Sequence, residues 1–224
     1  MTTQPAPVNL QGKDALIAYF QPRSAQAEAF RQLRTAVQYA GSVRTILATS
    51  PGPEDGKSSA LANLAITLAQ AGSRVALVDC DLRRPNQHLL FGLDNIPGVA
   101  EALSERGEAR PQESGIPGLR IVTSGALPPN PADLLVSDRF ESLLADLHRE
   151  SDYVLVDAPP IVPVTDAAVL ASRVDGVLLV LRAGKTKREM AQRAQELLAQ
   201  VNARILGVVL TNAKPDKALG SYYA

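Results

Sequence analysis

Residues 44–72 read RTILATSPGPEDGKSSALANLAITLAQAG, and the order of residue types within them decides the fold. An apolar, β-branched run at 44–50 gives way to a loop dense in proline and glycine, which opens directly on a helical pattern at Lys57. Strand, loop and helix in that order make a phosphate-binding loop. Backbone N–H groups at the helix N-terminus converge on one concavity, and a lysine supplies full positive charge. The usual spacing, G-x-x-x-x-G-K-S/T, would put glycine where this chain has Pro51. Pro51 and Pro53 have no N–H to offer, which leaves Gly52, Glu54, Asp55, Gly56, Lys57, Ser58 and Ser59 to form the cradle. Lys57 is expected to reach the β- and γ-phosphates of a nucleotide and Ser58 to ligate magnesium, with the carboxylates of Glu54 and Asp55 turned away.

The same alternation continues on either side. Apolar runs recur at 74–81 (RVALVDCD), 119–124 (LRIVTS), 152–159 (DYVLVDAP), 176–183 (GVLLVLRA) and 204–212 (RILGVVLTN). Helical patterns stand at 57–72, 138–150, 166–174 and 185–201, with one more from Ser24, a candidate N-cap, ahead of the first run. Near-continuous apolar strands alternating with helices predict an α/β fold: a P-loop NTPase-like, mostly parallel sheet with helices on both faces, in a single domain. Residues 1–23, rich in Pro, Gln and Thr, are expected to be a flexible arm, 24–212 the domain, and 213–224 a mobile tail. Two proline-rich connections, 82–98 and 125–135, follow strand ends and so lie at the edge where open parallel sheets hold ligands.

Three acids end strands at that edge. Asp79 and Asp81 are two apart, so their carboxylates face one side while Cys80 turns into the core; Asp157 ends another apolar strand. Carboxylates beside a triphosphate suit magnesium binding and activation of a hydroxyl. Asn212, ending the last run, is a candidate hydrogen-bonder to adenine or a turn residue.

Composition narrows the partners and the compartment. Of 224 residues, 23 are Lys or Arg and 23 are Asp or Glu, so no global field draws the chain to nucleic acid. Cys80 is the single cysteine, which rules out an internal disulfide framework and favours a cytoplasmic setting. The N-terminus has no signal-peptide pattern, and no apolar run approaches the roughly 20 residues of a spanning helix.

SPGPEDGKSS (50–59), VALVDCDLRRP (75–85), GALPPNPADLL (125–135) and DYVLVDAPP (152–160), in that order, resemble the cytoplasmic kinase domain of bacterial tyrosine autokinases of the capsular and exopolysaccharide type. The resemblance covers residues 24–212, and proline at the first loop position belongs to that family's variant. It implies ATP and Mg2+ as cofactors, Asp79 as the base that receives the acceptor tyrosine's proton, and Asp81 and Asp157 as managers of magnesium with Ser58. Read alone, Glu28, Arg31 and Arg34 form an exposed helix face; the resemblance makes them an oligomerisation signature lining a ring of subunits. It also implies autophosphorylation in trans, with Tyr222 and Tyr223 as acceptors, a tyrosine phosphatase and further protein substrates. The family's transmembrane activator segment is absent from this sequence, so a separate membrane polysaccharide co-polymerase is expected to recruit the chain to the inner face of the membrane. The tail departs from the family in offering two tyrosines rather than a longer cluster.

A related group, the partition and division-site ATPases, shares the loop and the acids but carries a lysine early in the loop, in the pattern K-G-G-x-G-K. Here that position is Gly52. A nucleotide-binding scaffold without turnover would show damage to the acids or to Lys57, and both are intact.

Overall fold

The computed structural model describes residues 12, 14–104, 107 and 110–214. In chain order the elements are α1 (Ile17–Phe20), α2 (Ala25–Gln38), β1 (Thr45–Thr49), α3 (Lys57–Gln70), β2 (Val75–Asp79), α4 (Gln87–Phe91), α5 (Val99–Leu103) and β3 (Gln112–Glu113). They continue with β4 (Leu119–Val122), α6 (Pro131–Val136), α7 (Arg139–Glu150), β5 (Tyr153–Asp157), α8 (Asp166–Ala171), β6 (Gly176–Arg182), α9 (Arg188–Gln200) and β7 (Ile205–Thr211). One sheet runs β3-β4-β2-β5-β1-β6-β7, parallel throughout except for β3 against β4. The six strands expected from the apolar runs are all present; β3 was not expected.

Alternation along the strands sorts the core into two layers. On β2, Val75 and Leu77 join the layer beneath α1–α4, whereas Ala76 and Val78 join the layer beneath α5–α9. By the same period, Asp79 falls on the α3 side of the sheet and Cys80 on the opposite side, where it is buried. On β5, Leu155 faces α3 and Val156 faces away, which returns Asp157 to the α3 side. Because all strands but β3 point the same way, Ser50, Asp79, Asp157, Arg182 and Thr211 gather at one edge. Chain order also reverses direction there: β2 lies beyond β5 on one side of β1, and β6 lies on the other. A crevice at such a switch point holds the ligand in open α/β sheets.

The flexible-arm expectation for 1–23 needs correction over its apolar part. Leu16 and Ala18 are buried, and α1 packs against α2 and α3. Asn63, buried within α3, ties the segment down: its Nδ2 donates to Ala15 O at 2.7 Å and its Oδ1 accepts from Ala18 N at 2.7 Å. A buried carboxamide needs such partners, so the arm's backbone completes α3. The packed domain therefore begins ahead of Ser24, which does cap α2 by accepting from Ala27 N. Residues 1–11, and the tail tyrosines Tyr222 and Tyr223, lie outside the described residues.

Candidate active site

Register explains why the acids meet. Asp79 on β2 and Asp157 on β5 are directly paired across adjacent parallel strands, with side chains on the same face. Ala48 on β1 is the partner of Asp157 on its other side, so the loop that follows β1 starts beside both carboxylates. Gly56 ends that loop at φ 90°, a left-handed value that favours glycine; a Cβ there would also meet the Thr211 side chain at 3.1 Å. From this turn α3 starts with Lys57.

Lys57 Nζ sits among oxygens: Asp81 Oδ2 at 2.8 Å, Ser58 Oγ at 3.3 Å and Asp157 Oδ1 at 3.4 Å. Burial works against the ammonium, but the charges of Asp157 and Asp81 outweigh it and raise its pKa above the ordinary lysine value. Asp81 is fixed from behind, its Oδ1 accepting the N–H groups of Arg83 (3.3 Å) and Arg84 (2.9 Å). Asp157 is fixed by Gln87, whose Nε2 donates to its Oδ2 at 2.8 Å.

Asp79 is fully buried and accepts three backbone N–H groups: Asp81 on Oδ1 at 3.1 Å, and Asn86 and Gln87 on Oδ2 at 2.9 Å each. Oδ1, with one such bond, keeps capacity to accept another. Burial, and then the neighbouring Asp157 charge, push the Asp79 pKa up to about 7; the Gln87 N–H and the Lys57 charge oppose the rise. A base poised near neutrality suits proton transfer.

The side chains of Glu54 and Asp55 do turn away from the loop's concavity. Glu54 pairs with Lys185 Nζ at 3.0 Å, and the Asp55 carboxylate accepts from Thr186 Oγ1 at 3.0 Å and Gly52 N at 3.1 Å. The last contact corrects one expectation. Gly52 already spends its N–H on Asp55, so the cradle's donors begin at Glu54. Ser58 is buried beside Lys57, and Ser59, one residue further into α3, accepts from Asn63 through its carbonyl. Asn212 is exposed in a left-handed turn (φ 54°) next to Thr211, at the loop's edge.

Two residues of the site, Gln87 and Asp166, had not been singled out for it, and the sequence reads Arg83 only as a phosphate or partner contact or a solvated residue. Gln87, buried, bridges Asp157 to Ser58 O at 3.2 Å. Arg83 and Asp166 form a bidentate pair at 2.8 and 3.0 Å that ties the loop after β2 to the start of α8, beyond Asp157. Each is separated in sequence from its partner by 29 to 83 residues, so spacing gave no signal.

The donor set fits magnesium. Ser58 Oγ, Asp81 and Asp157 are hard oxygen donors that already surround a cation, the Lys57 ammonium, and the buried Gln87 Oε1 beside them has no hydrogen-bond partner. Among the described residues no group of three or more His, Cys, Asp or Glu could hold a metal alone. Magnesium is commonly bound through one or two carboxylates and completed by nucleotide phosphates.

On α2, Arg31 Nε donates to Glu28 Oε2 at 2.6 Å and its Nη1 to Pro22 O at 2.9 Å, while Arg34 Nη1 reaches Thr67 O at 3.1 Å. Thr67 lies near the far end of α3, roughly 15 Å along the axis from Lys57. Arg34, then, sits away from the loop of its own chain.

A family model described as "NUBPL iron-transfer P-loop NTPase", of the ParA group, matches residues 44–214. The chain is 38% identical to the tyrosine-protein kinase YwqD of Bacillus subtilis over 90% of its own length and 87% of that protein's. It is 36% identical to the tyrosine-protein kinase CpsD of Streptococcus agalactiae, with 87% and 86% covered. Among solved structures, the kinase domain of the Escherichia coli tyrosine kinase ETK superposes with a TM-score of 0.82 at 32% identity, covering 90% of this chain and 82% of that one. More distant structures, at 17–22% identity, share the fold alone.

Proposed function

Since the chain belongs to the bacterial tyrosine-protein kinases, within the wider ParA group of P-loop NTPases, we propose that it transfers the γ-phosphoryl of ATP to tyrosines in the tail of a neighbouring copy, Tyr222 and Tyr223. The observation that carries this reading is the buried trio of Asp79, Asp81 and Asp157 converging on Lys57 at the start of α3.

When ATP fills the loop, Lys57 would leave Asp81 and Asp157 for the β- and γ-phosphates, and Ser58, Asp81 and Asp157 would hold magnesium in its place. The ion, when bound, neutralises charge on the phosphate oxygens. Asp79 takes the acceptor tyrosine's proton on Oδ1 as the tyrosine oxygen bonds to the γ-phosphorus and the bond to the bridging oxygen breaks, releasing ADP. Protonated Asp79 then returns its proton to water. Its raised pKa supports the role: a carboxylate at about 7 is a stronger base than an exposed one yet is still ionised in part at neutral pH. Asn212 lies at the right edge to meet the adenine.

The length of the tail supports transfer between copies. About ten residues separate Asn212 from Tyr222, an extended span of roughly 33–36 Å. The distance of Arg34 from the loop of its own subunit supports a role for it, with Arg31 and Glu28, at the next subunit's site in a ring. A membrane-embedded polysaccharide co-polymerase is the activator that fits. Among the described residues no helix is long and apolar enough to cross a membrane, and in three longer relatives the match takes up only 27–28% of the protein. The role is then regulation of capsular or exopolysaccharide polymerisation and export. Mass spectrometry of the purified protein after incubation with Mg-ATP tests the reading: phosphotyrosine on the tail is expected, and phosphate release without phosphotyrosine would favour the partition-type ATPase.

A further inference from the structure

Glu54 holds φ 62°, a left-handed value that disfavours any residue bearing a Cβ, so something outside the loop must fix it. The contacts that do so fall on three successive carbonyls. Lys185 Nζ donates to Pro53 O at 3.1 Å, Arg182 Nη1 to Glu54 O at 3.1 Å, and Thr211 Oγ1 to Asp55 O at 2.7 Å. In a planar trans peptide the C=O of one residue and the N–H of the next point in opposite directions. Anchoring these three oxygens therefore turns the N–H groups of Glu54, Asp55 and Gly56 the other way, as a row. Among the described residues no acceptor meets those three N–H groups. A row of free N–H groups beside a helix start is an anion nest.

We propose that Lys185, Arg182 and Thr211, brought from the ends of β6 and β7, are positioning residues of the phosphate cradle that set its affinity for ATP by holding the loop's carbonyls outward. The inference rests on the reading that this loop binds ATP. The Lys185–Glu54 carboxylate pair is not the active part of the strap. The two side chains are 42% and 78% exposed, and such surface pairs contribute little. The carbonyl contacts remain, and they act on the backbone that makes the cradle. Glu54 is the residue that needs them, because glycine at that position would take the same φ freely.

Calorimetric titration with a non-hydrolysable Mg-ATP analogue tests this. Lys185→Ala should weaken binding roughly tenfold, equivalent to about 1.4 kcal/mol, while Lys185→Arg retains most of it. In turnover assays the loss should fall on KM for ATP more than on kcat. Glu54→Gly introduced into Lys185→Ala should restore binding to within about threefold of the parent, since the turn no longer needs an anchor. Unchanged affinity in Lys185→Ala, or no recovery in the double variant, overturns the proposal. Normal analogue binding by the parent with no phosphotyrosine formed would sink the kinase reading and leave this one standing.

Discussion

Replacing Lys57 with methionine should destabilise the free protein as well as silence it, although deleting a charged active-site residue commonly does the reverse. The ammonium lies between Asp81 and Asp157, whose side chains are 4% and 0% exposed, with Asp79 paired beside Asp157. Methionine keeps the volume but leaves buried carboxylates facing one another. Breaking a buried pair from one side costs about 3–5 kcal/mol. For a domain of this size each kcal/mol moves the melting temperature by about 2–4 °C, so the expected fall at pH 7 is ~6–20 °C. The folded-state pKa of Lys57 is raised above 10.5, so its contribution is fully present below that value and is lost only as pH rises through the higher folded one. At pH 7 the whole effect is therefore visible. Towards pH 5 the gap should narrow, because the carboxylates of the variant can protonate; Asp79, freed of the lysine's lowering influence, would titrate above about 7. The assay is thermal unfolding in chelator at both pH values, then with Mg2+, which should raise the variant's midpoint more than the parent's. A variant as stable as the parent at pH 7 would refute the claim that the lysine holds the acids together.

Other expectations follow from single contacts. With Asp79 as base, kcat/KM should rise about tenfold per pH unit below about 7 and level off above it, as the base loses its proton; a flat profile between pH 6 and 8 excludes Asp79 from that role. Asn63→Ala leaves Ala18 N and Ala15 O without partners, a loss of about 2–4 kcal/mol in urea unfolding, with the amide of Ala18 losing protection from hydrogen exchange. Arg31→Ala with Arg34→Ala should lower the mass seen in light scattering and abolish phosphorylation at low protein concentration; an unchanged mass returns these residues to an ordinary helix face.

The sheet was legible because its parallel strands are buried on both faces and read as apolar runs, and because the phosphate loop announces the strand before it and the helix after it. β3 has two residues and pairs only with β4, so it left no pattern. α1 has four, too few for a helical period, and its burial depends on a groove on α3 that only the folded chain provides. α4 and most of α6 lie within connections whose prolines suggested loops, and α5, only five residues long, follows directly on the first of them. At the site, Lys57 could be placed because the phosphate-loop pattern ends on it, and the three acids because they close apolar runs in which a period of two fixes the side each faces. The assignment of Gly52 to the cradle failed because Asp55 curls back to take its N–H, a turn geometry hidden in the sequence. Lys185 and Arg182 reach the loop from 128 to 132 residues away, which no local pattern encodes.

The central claim is transfer through this site to a neighbour's tail, and a mixing experiment isolates it. A Lys57→Met protein has tyrosines to accept phosphate and no working loop; a Tyr222→Phe, Tyr223→Phe protein has the loop and lacks the acceptors. Incubated singly with Mg-ATP, neither should gain phosphotyrosine on its tail. Mixed, the Lys57→Met chain should be labelled at Tyr222 and Tyr223, detected by mass spectrometry of the two chains after separation by tag. Label on the Tyr222→Phe, Tyr223→Phe chain, or no label on either, would contradict the account.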